Sequence, residues 1–398
     1  MIICDATQFY SEVGGGVGRY LKEKRAYIHE CTEDTHLLLV PGARDEVIQQ
    51  DRLWTCTIKS RSINKTSRYR MLLNLRKAQE ALMELKPDII ESGDPYQLGW
   101  QLCHTGQLMN IPVVGFYHSH FPEAHLRTVG KYFGPWVRDV VLAYAEDYIA
   151  RLYNKFHATM VPSQFLKEVL QNWGVQNTHY LHLGVNLKVF LPGPPQQMTA
   201  PSLGLEAGRE VLLYIGRLAG EKNTRMLLET FELLHQREPD RYSFIIVGDG
   251  TQREAVERLR QRVTSFYWEP YCSDSERLAD FYRLADAFVH PGVHETFGLV
   301  ALESQACGCP VIGIRGSYMD ANIFAGLDYW ADENTPDALA AAIGRVMAAG
   351  AVQLGEAACR QVRERFSWES VFSRQCDIYR DVIARHAEFN RHGGLFIS

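Results

Sequence analysis

Short apolar runs alternate with longer segments of helical period along the chain, and the runs fall into two sets. Leu37–Val40, Asp88–Ile90, Val113–Tyr117 and Thr159–Val161 make up the first, and Val211–Ile215, Phe244–Val247, Ala287–His290 and Val311–Ile314 the second. Runs apolar at successive positions predict strands buried on both faces, and their alternation with helices predicts parallel sheets covered on both sides. Several runs end in Gly, Pro, Ser or His, which gathers polar groups at strand carboxyl ends, where open α/β sheets bind ligands.

The two sets are separated by Leu191–Ser202, where Pro192, Pro194, Pro195 and Pro201 stand among small polar residues. Such a stretch continues neither a helix nor a central strand, and it reads as a linker. The expected organisation is two Rossmann-like α/β domains, 1–190 and 203–372, joined by 191–202, with 373–398 as a C-terminal helix that packs back on the first domain. A chain of 398 residues suits two domains, each able to bury a core.

Composition narrows the classes. With 46% hydrophobic and 22% charged residues the chain is ordinary for a globular protein, and no apolar run approaches the ~20 residues of a membrane helix. Met1–Asp5 lacks the basic and long apolar regions of a signal peptide and reads as a first strand, so a cytoplasmic location is expected. Nine cysteines lie scattered without a CxxC pair, which fits reduced thiols, and the close pair Cys307 and Cys309 reads as core packing. A net charge of −5 argues against general nucleic-acid binding.

Three motifs carry candidate chemistry. Gly14-Gly15-Gly16-Val17-Gly18-Arg19 follows the opening strand and leads into a helix, so its amides can approach a phosphate, although a plain glycine turn fits equally well. Arg217 and Lys222 follow the strand ending at Ile215 and open a helix; a planar fork and a point charge together suit a diphosphate, against the alternative of two solvated surface cations. Glu295 and Glu303 stand eight residues apart on a loop that becomes a helix, so the first faces a ligand at the mouth and the second lies about two turns in. The amides of Phe297, Gly298 and Leu299 are expected to point into the same cleft.

On these residues the chain resembles glycosyltransferase family 4, a large retaining group with the GT-B fold, over essentially its whole length. The most diagnostic match is Glu295-Thr296-Phe297-Gly298 with Glu303 seven residues beyond Thr296, followed by Ala306-Cys307-Gly308-Cys309-Pro310-Val311. The resemblance implies that Glu303 holds the nucleotide ribose hydroxyls and Glu295 lies against the transferred sugar. It places Arg217 and Lys222 on the donor phosphates and the loop at Gly15 and Gly16 beneath the diphosphate from the other domain. It also makes His118, in Phe116-Tyr117-His118-Ser119-His120, the histidine that contacts the sugar near its reacting carbon, with His120 as the substitute if the register slips. Without the family, either histidine reads as a structural hydrogen-bonding group.

The resemblance further implies transfer of a hexose, with retention, from a nucleoside-diphosphate sugar of the GDP-mannose or UDP-glucose type to an acceptor hydroxyl. The donor is a co-substrate and no further cofactor is expected. No metal is expected either, since Arg217 and Lys222 supply the positive charge at the diphosphate and the chain lacks a DxD-type aspartate pair after a strand. Base recognition is expected from Gly248–Gly250 and Tyr267–Ser273.

The acceptor side falls to the first domain. Between Thr57 and Gln79 stand Lys59, Arg61, Lys65, Arg68, Arg70, Arg76 and Lys77 with no acidic residue, interleaved with Met71, Leu72, Leu73 and Leu75. Such a cluster suits an anionic membrane surface or a phosphorylated acceptor, extended by His125, Arg127 and Lys131, and it equally suits a solvated helix face with a loop. The favoured reading is a glycolipid acceptor and a peripheral position on the inner face of the membrane. A soluble sugar acceptor, a sugar-nucleotide epimerase, a phosphorylase and a non-catalytic binding homologue are the alternatives; no pyridoxal phosphate lysine motif supports the phosphorylase.

Overall fold

The computed structural model describes residues 1–10, 16–62, 69–118, 134–293, 295, 297–317, 319 and 322–391. The chain divides into two compact units, Met1–Leu183 with Trp368–Ser398, and Gly184–Ser367.

The first unit runs β1 (Ile2–Ala6), β2 (Phe9–Tyr10), α1 (Gly16–Cys31), β3 (Thr35–Gly42), β4 (Glu46–Gln50), β5 (Leu53–Lys59), β6 (Arg61–Ser62), β7 (Arg70–Met71), α2 (Leu75–Leu85), β8 (Ile89–Ser92), α3 (Gln97–Met109), β9 (Val113–Phe116), α4 (Pro135–Tyr153), β10 (Thr159–Val161), α5 (Gln164–Asn172) and β11 (Thr178–Tyr180). Eight strands form one sheet in the order β11-β10-β9-β8-β1-β3-β5-β4, parallel throughout except where β4 meets β5. β2, β7 and β6 make a separate small antiparallel sheet. Leu37, Leu39, Ile90 and Val113 meet Ala78, Leu82, Leu98, Leu102 and Ile149 from the covering helices in one apolar cluster. Each such side chain taken fully out of water contributes roughly 1.5–3 kcal/mol.

The final helix, α12 (Trp368–Arg391), returns to this unit and joins a buried polar network. Lys24 on α1 donates to Asp5 and to Tyr379, each at 2.7 Å. Gln375 donates to Glu91 at 2.8 Å, Tyr20 donates to Glu91 at 2.9 Å, and Tyr379 makes a short hydrogen bond to the same carboxylate. His36 contacts the other oxygen of Asp5. Burial pushes the Glu91 carboxyl up to about 7, with Lys24 pulling it down and Asp5 adding to the rise. Asp5 responds oppositely: its burial is outweighed by Lys24 and His36, which hold it well below the usual carboxylate range.

The second unit is built on β12 (Glu210–Ile215), α6 (Thr224–Arg237), β13 (Tyr242–Val247), α7 (Arg253–Arg260), β14 (Phe266–Glu269), α8 (Ser275–Leu284), β15 (Ala287–Val289), α9 (Leu299–Ala306), β16 (Val311–Ile312), α10 (Pro336–Ala349) and α11 (Ala351–Arg365). Its five strands are all parallel, in the order β14-β13-β12-β15-β16. This order reverses direction between β12 and β15, so their carboxyl ends border the crevice where doubly wound sheets bind ligands. Leu212, Phe244, Ile246 and Val289 pack against Leu227, Phe231, Leu339 and Ile343 in the core.

The proline-rich segment 191–202 lies within the second unit. Asp280 on α8, 1% exposed, accepts the amides of Gln196 and Gln197 at 3.0 and 2.6 Å, and Arg283 donates to the carbonyls of Val189 and Leu191 at 2.8 and 2.9 Å. Among the described residues no single helix is long and apolar enough to cross a membrane; α10 and α11 reach that composition only together, bent by 88°.

Candidate functional site

A charged cluster of the second unit sits at the carboxyl ends of β12 and β15. After β12 the chain turns through Gly216 and Arg217 into a short 3-10 turn, Gly220–Lys222, and enters α6 at Thr224. Lys222 therefore precedes the helix proper. Asn223 makes this turn possible by adopting a left-handed φ of 55°, which asparagine tolerates. Its side chain donates to the Pro291 carbonyl at 3.1 Å and to Asn334 at 2.7 Å, tying the turn to the loop after β15.

That tie brings two predicted residues together. The Lys222 ammonium makes a short ion pair with Glu295, and the two side chains keep 24% and 17% of their exposure. His290, buried at the end of β15, places Nε2 3.6 Å from the same Glu295 oxygen. Burial opposes ionisation of Glu295, but Lys222 and His290 outweigh it and hold the carboxyl well below the usual range. The carboxylate is thus charged near neutral pH and can act only as a hydrogen-bond acceptor.

Arg217 is not in this cluster. Its side chain is 67% exposed and pairs with Glu221 at 3.3 Å, one turn along, leaving the guanidinium at the strand end but directed to an exposed neighbour. Surface pairs of this kind contribute about 0–1 kcal/mol, so a stronger anion displaces Glu221 at little cost.

The loop after Glu295 enters α9 through Gly298, at φ 77°. That left-handed φ favours glycine, and a Cβ there would stand 2.1 Å from the Met319 sulfur, so a side chain would be strained and would displace Met319. Gly298 is the helix N-cap and offers no side-chain cap, and Leu299 is the first helical residue. Phe297 is buried, and its carbonyl accepts from Asn322 at 2.8 Å. The amides that open α9 carry the partial positive charge of a helix N-terminus.

Glu303 follows on α9, four residues after Leu299, hence just over one turn in and not the two turns its separation from Glu295 suggested; the residues up to Gly298 are loop. It is 2% exposed, and one oxygen accepts from the Tyr282 hydroxyl at 3.2 Å. A second close approach shapes the same rim: Cβ atoms at Gly248 and Gly250 would stand 1.9 Å from the Gly216 carbonyl and 2.3 Å from the Leu218 carbonyl.

In the first unit, Gly16 opens α1, while Gly15, Lys65, Arg68, His120, His125, Arg127 and Lys131 lie outside the described residues. His118 follows β9. Its ring stacks on Phe116 at 4.1 Å between centroids and meets Tyr20 edge-on at 4.7 Å. Burial pushes the imidazole down to about 3, with Asp5 raising and Lys24 lowering it, so the ring is neutral near pH 7. The basic stretch is less uniform than its sequence suggested. Lys77 pairs with Asp45 at 2.6 Å and Arg76 with Glu80 at 2.9 Å, both acids from outside Thr57–Gln79, and Arg70–Met71 is a strand.

Two participants escaped the sequence reading. His290 was visible only as the polar end of the Ala287–His290 run, and Asn223, next to Lys222, was not singled out; neither advertises that it meets the loop carrying Glu295. Among the described residues no group of three or more His, Cys, Asp or Glu side chains is arranged to hold a metal ion.

Comparison with known proteins gives a consistent picture. Residues 196–361 match the family described as glycosyl transferases group 1, and residues 14–189 match glycosyltransferase family 4. The chain is 28% identical over 379 residues to the GDP-mannose-dependent alpha-(1-6)-phosphatidylinositol dimannoside mannosyltransferase of Mycobacterium tuberculosis, covering 93% of each. It is 34% identical over 319 residues to the D-inositol 3-phosphate glycosyltransferase of Thermobispora bispora, covering 73% of this chain and 69% of that protein. Among solved structures, sucrose-phosphate synthase from Thermosynechococcus elongatus matches 96% of this chain and 99% of its own at TM-score 0.76 and 22% identity. The Anabaena HepE structure in complex with UDP matches 96% and 100% at TM-score 0.73 and 16% identity, and both likenesses speak to the fold. With two parallel-sheet units of the GT-B class and both halves matched by its families, the chain belongs to glycosyltransferase family 4 and is a glycosyltransferase.

Proposed function

We propose that this glycosyltransferase moves a mannosyl residue from GDP-mannose to a hydroxyl of a glycolipid acceptor, with retention and without a metal ion. The observation that carries the reading is the Lys222, Glu295 and His290 cluster at the carboxyl ends of β12 and β15, beside the uncapped start of α9. The choice of GDP-mannose over UDP-glucose, and of a lipid acceptor over a soluble one, rests on the mycobacterial relative that spans 93% of the chain.

In this reading the donor diphosphate lies against Lys222, Arg217 and the amides of Phe297, Gly298 and Leu299. The two cations offset the charge that develops on the departing phosphate, a preorganised effect of the kind that contributes about 3–4 kcal/mol when a single donor is removed from other sites. They fill the place a divalent cation would take, which is the support for metal independence. Glu303 accepts from the ribose hydroxyls, and Glu295 accepts from hydroxyls of the sugar. Gly15 and Gly16 are assigned to the diphosphate on the family resemblance alone. His118 is assigned to the sugar near its anomeric carbon, where a neutral imidazole supplies an acceptor without repelling developing positive charge.

Retention follows from front-side attack: the acceptor oxygen forms its bond to the anomeric carbon on the face from which the diphosphate leaves, and the acceptor proton passes to the departing phosphate oxygen. The test is transfer from GDP-mannose in EDTA to a phosphatidylinositol-based acceptor, with the new linkage read by NMR. An α-linked product supports the reading; a β-linked product, or turnover that requires added Mg²⁺, contradicts it. Transfer only to free inositol phosphate would favour the soluble acceptor named for the Thermobispora relative.

A further inference from the structure

Helix α4 buries Ala145, Ile149, Ala150, Leu152 and Tyr153 against its unit, yet Trp136, Val140 and Tyr144 are 77%, 50% and 67% exposed. Their spacing of four puts them in one line along the helix. Single exposed apolar residues are ordinary, but a row containing a tryptophan and a tyrosine marks a surface that meets something. The charges beside it are neutralised locally, Arg138 by Asp139 at 2.7 Å and Arg151 by Asp147 at 2.5 Å.

The row adjoins the basic stretch through a short chain of contacts. Tyr148, one turn beyond Tyr144, donates to the Pro95 carbonyl at 3.0 Å. The next residue, Tyr96, packs edge-on against Phe9 at 5.0 Å, and Phe9 on β2 pairs with Met71 on β7. Lys59, at the end of β5 with its amide donating to Asp45 at 2.8 Å and its charge acting on that carboxylate, and Arg61, on β6, are exposed and form no direct ion pair among the described residues; Leu73 beside this small sheet is 61% exposed. The Asp94–Tyr96 loop, which these contacts place between the two patches, follows β8 at the carboxyl edge of the first unit's sheet.

We propose that this face rests on a membrane surface rich in anionic lipid. Trp136, Val140 and Tyr144 enter the boundary between headgroups and acyl chains, where rings with one polar end are most stable. Lys59 and Arg61 meet the anionic headgroups. The inference rests on the glycolipid-acceptor reading and deepens it: an enzyme seated this way reaches a lipid-borne hydroxyl without extracting the lipid.

The test uses the full chain, sedimented with phosphatidylcholine vesicles with and without phosphatidylinositol. Wild type is expected on the anionic vesicles. The double variant W136S/Y144S is expected to lose about tenfold or more in partitioning at low and high salt alike, because apolar insertion is not screened. The variant K59S/R61S is expected to lose binding at low salt only. These side chains are exposed, so melting temperatures should match wild type; brominated phosphatidylcholine should also quench wild-type tryptophan emission more than that of W136F. Unchanged vesicle binding by W136S/Y144S overturns the proposal, as does light scattering that shows a dimer which W136S/Y144S splits. The underlying reading fails separately: sugar transfer to vesicle-borne acceptor with unaltered W136S/Y144S binding sinks only the surface. Trp136-dependent binding with transfer only to soluble acceptors supports the surface and sinks the lipid acceptor.

Discussion

Replacing Lys222 by methionine keeps most of the side-chain volume and removes the charge that Glu295 faces. The pair is mostly but not fully withdrawn from water, with 24% and 17% of side-chain exposure left. Breaking a fully buried pair costs about 3–5 kcal/mol and an exposed one about 0.2–1, so this geometry places the loss near 2 kcal/mol. For a unit of this size that corresponds to a fall of about 4–8 °C in melting temperature at pH 7. The pH dependence gives the sign. Because the folded Glu295 carboxyl is held below its ordinary range, its stabilisation is present above the unfolded carboxyl value and fades as pH falls through the folded one. The gap between wild type and Lys222→Met should therefore be widest near neutrality and narrow on acidification below about pH 4.5. Scanning calorimetry of wild type, Lys222→Met, Glu295→Gln and the double variant measures this directly, and the cycle should give a coupling of about 1–2 kcal/mol. A coupling near zero at pH 7, or a gap that does not change with pH, would refute the argument that Lys222 is the main group holding the Glu295 carboxyl below its ordinary range.

Other parts of the molecule carry further expectations. Lys222→Met should also weaken donor binding by roughly 10- to 150-fold, the loss of one charge-assisted hydrogen bond of about 1.5–3 kcal/mol, as read by isothermal titration with the donor nucleotide. Gly298→Ala combines a φ of 77° with a Cβ 2.1 Å from Met319, so it should destabilise the second unit by about 1–3 kcal/mol and impair donor binding with it, whereas Gly344→Ala, in α10 with open space around its Cβ, should be neutral or stabilising in the same melts. Glu303→Ala should raise the donor KM more than it lowers kcat; equal kinetics to wild type would remove it from the nucleotide site. Glu91, pushed up to about 7 in the fold, binds a proton more readily folded than unfolded, so wild type should gain stability relative to Glu91→Gln as pH falls from about 8 to 5; a parallel course of the two curves would contradict that.

How much of this was legible in the sequence depends on how local each signal was. The apolar runs at Val211–Ile215 and Phe244–Val247 coincide closely with β12 and β13 because strands buried on both faces have no alternation to blur. β4 and the small β2-β7-β6 sheet escaped notice, since EVIQQ on an exposed edge and two-residue strands carry almost no pattern. The Glu295 and Glu303 motif was readable from spacing, but its depth was not, because the residues to Gly298 are loop and only then does α9 begin. Least legible was the polar core of the first unit: Lys24 meets Tyr379, and Gln375 meets Glu91, across separations of 355 and 284 residues that no periodicity encodes.

The central claim is that the Lys222 and Glu303 side of the second unit grips a sugar nucleotide without a metal. The most direct measurement is the thermal shift of wild type, Lys222→Met and Glu303→Ala with GDP-mannose, UDP-glucose and an ADP-sugar in EDTA, since a ligand that binds only the folded state must raise the melting temperature. The account predicts that GDP-mannose stabilises wild type and that both variants lose most of the shift. No stabilisation by any of the three, or an equal shift in wild type and both variants, would contradict it.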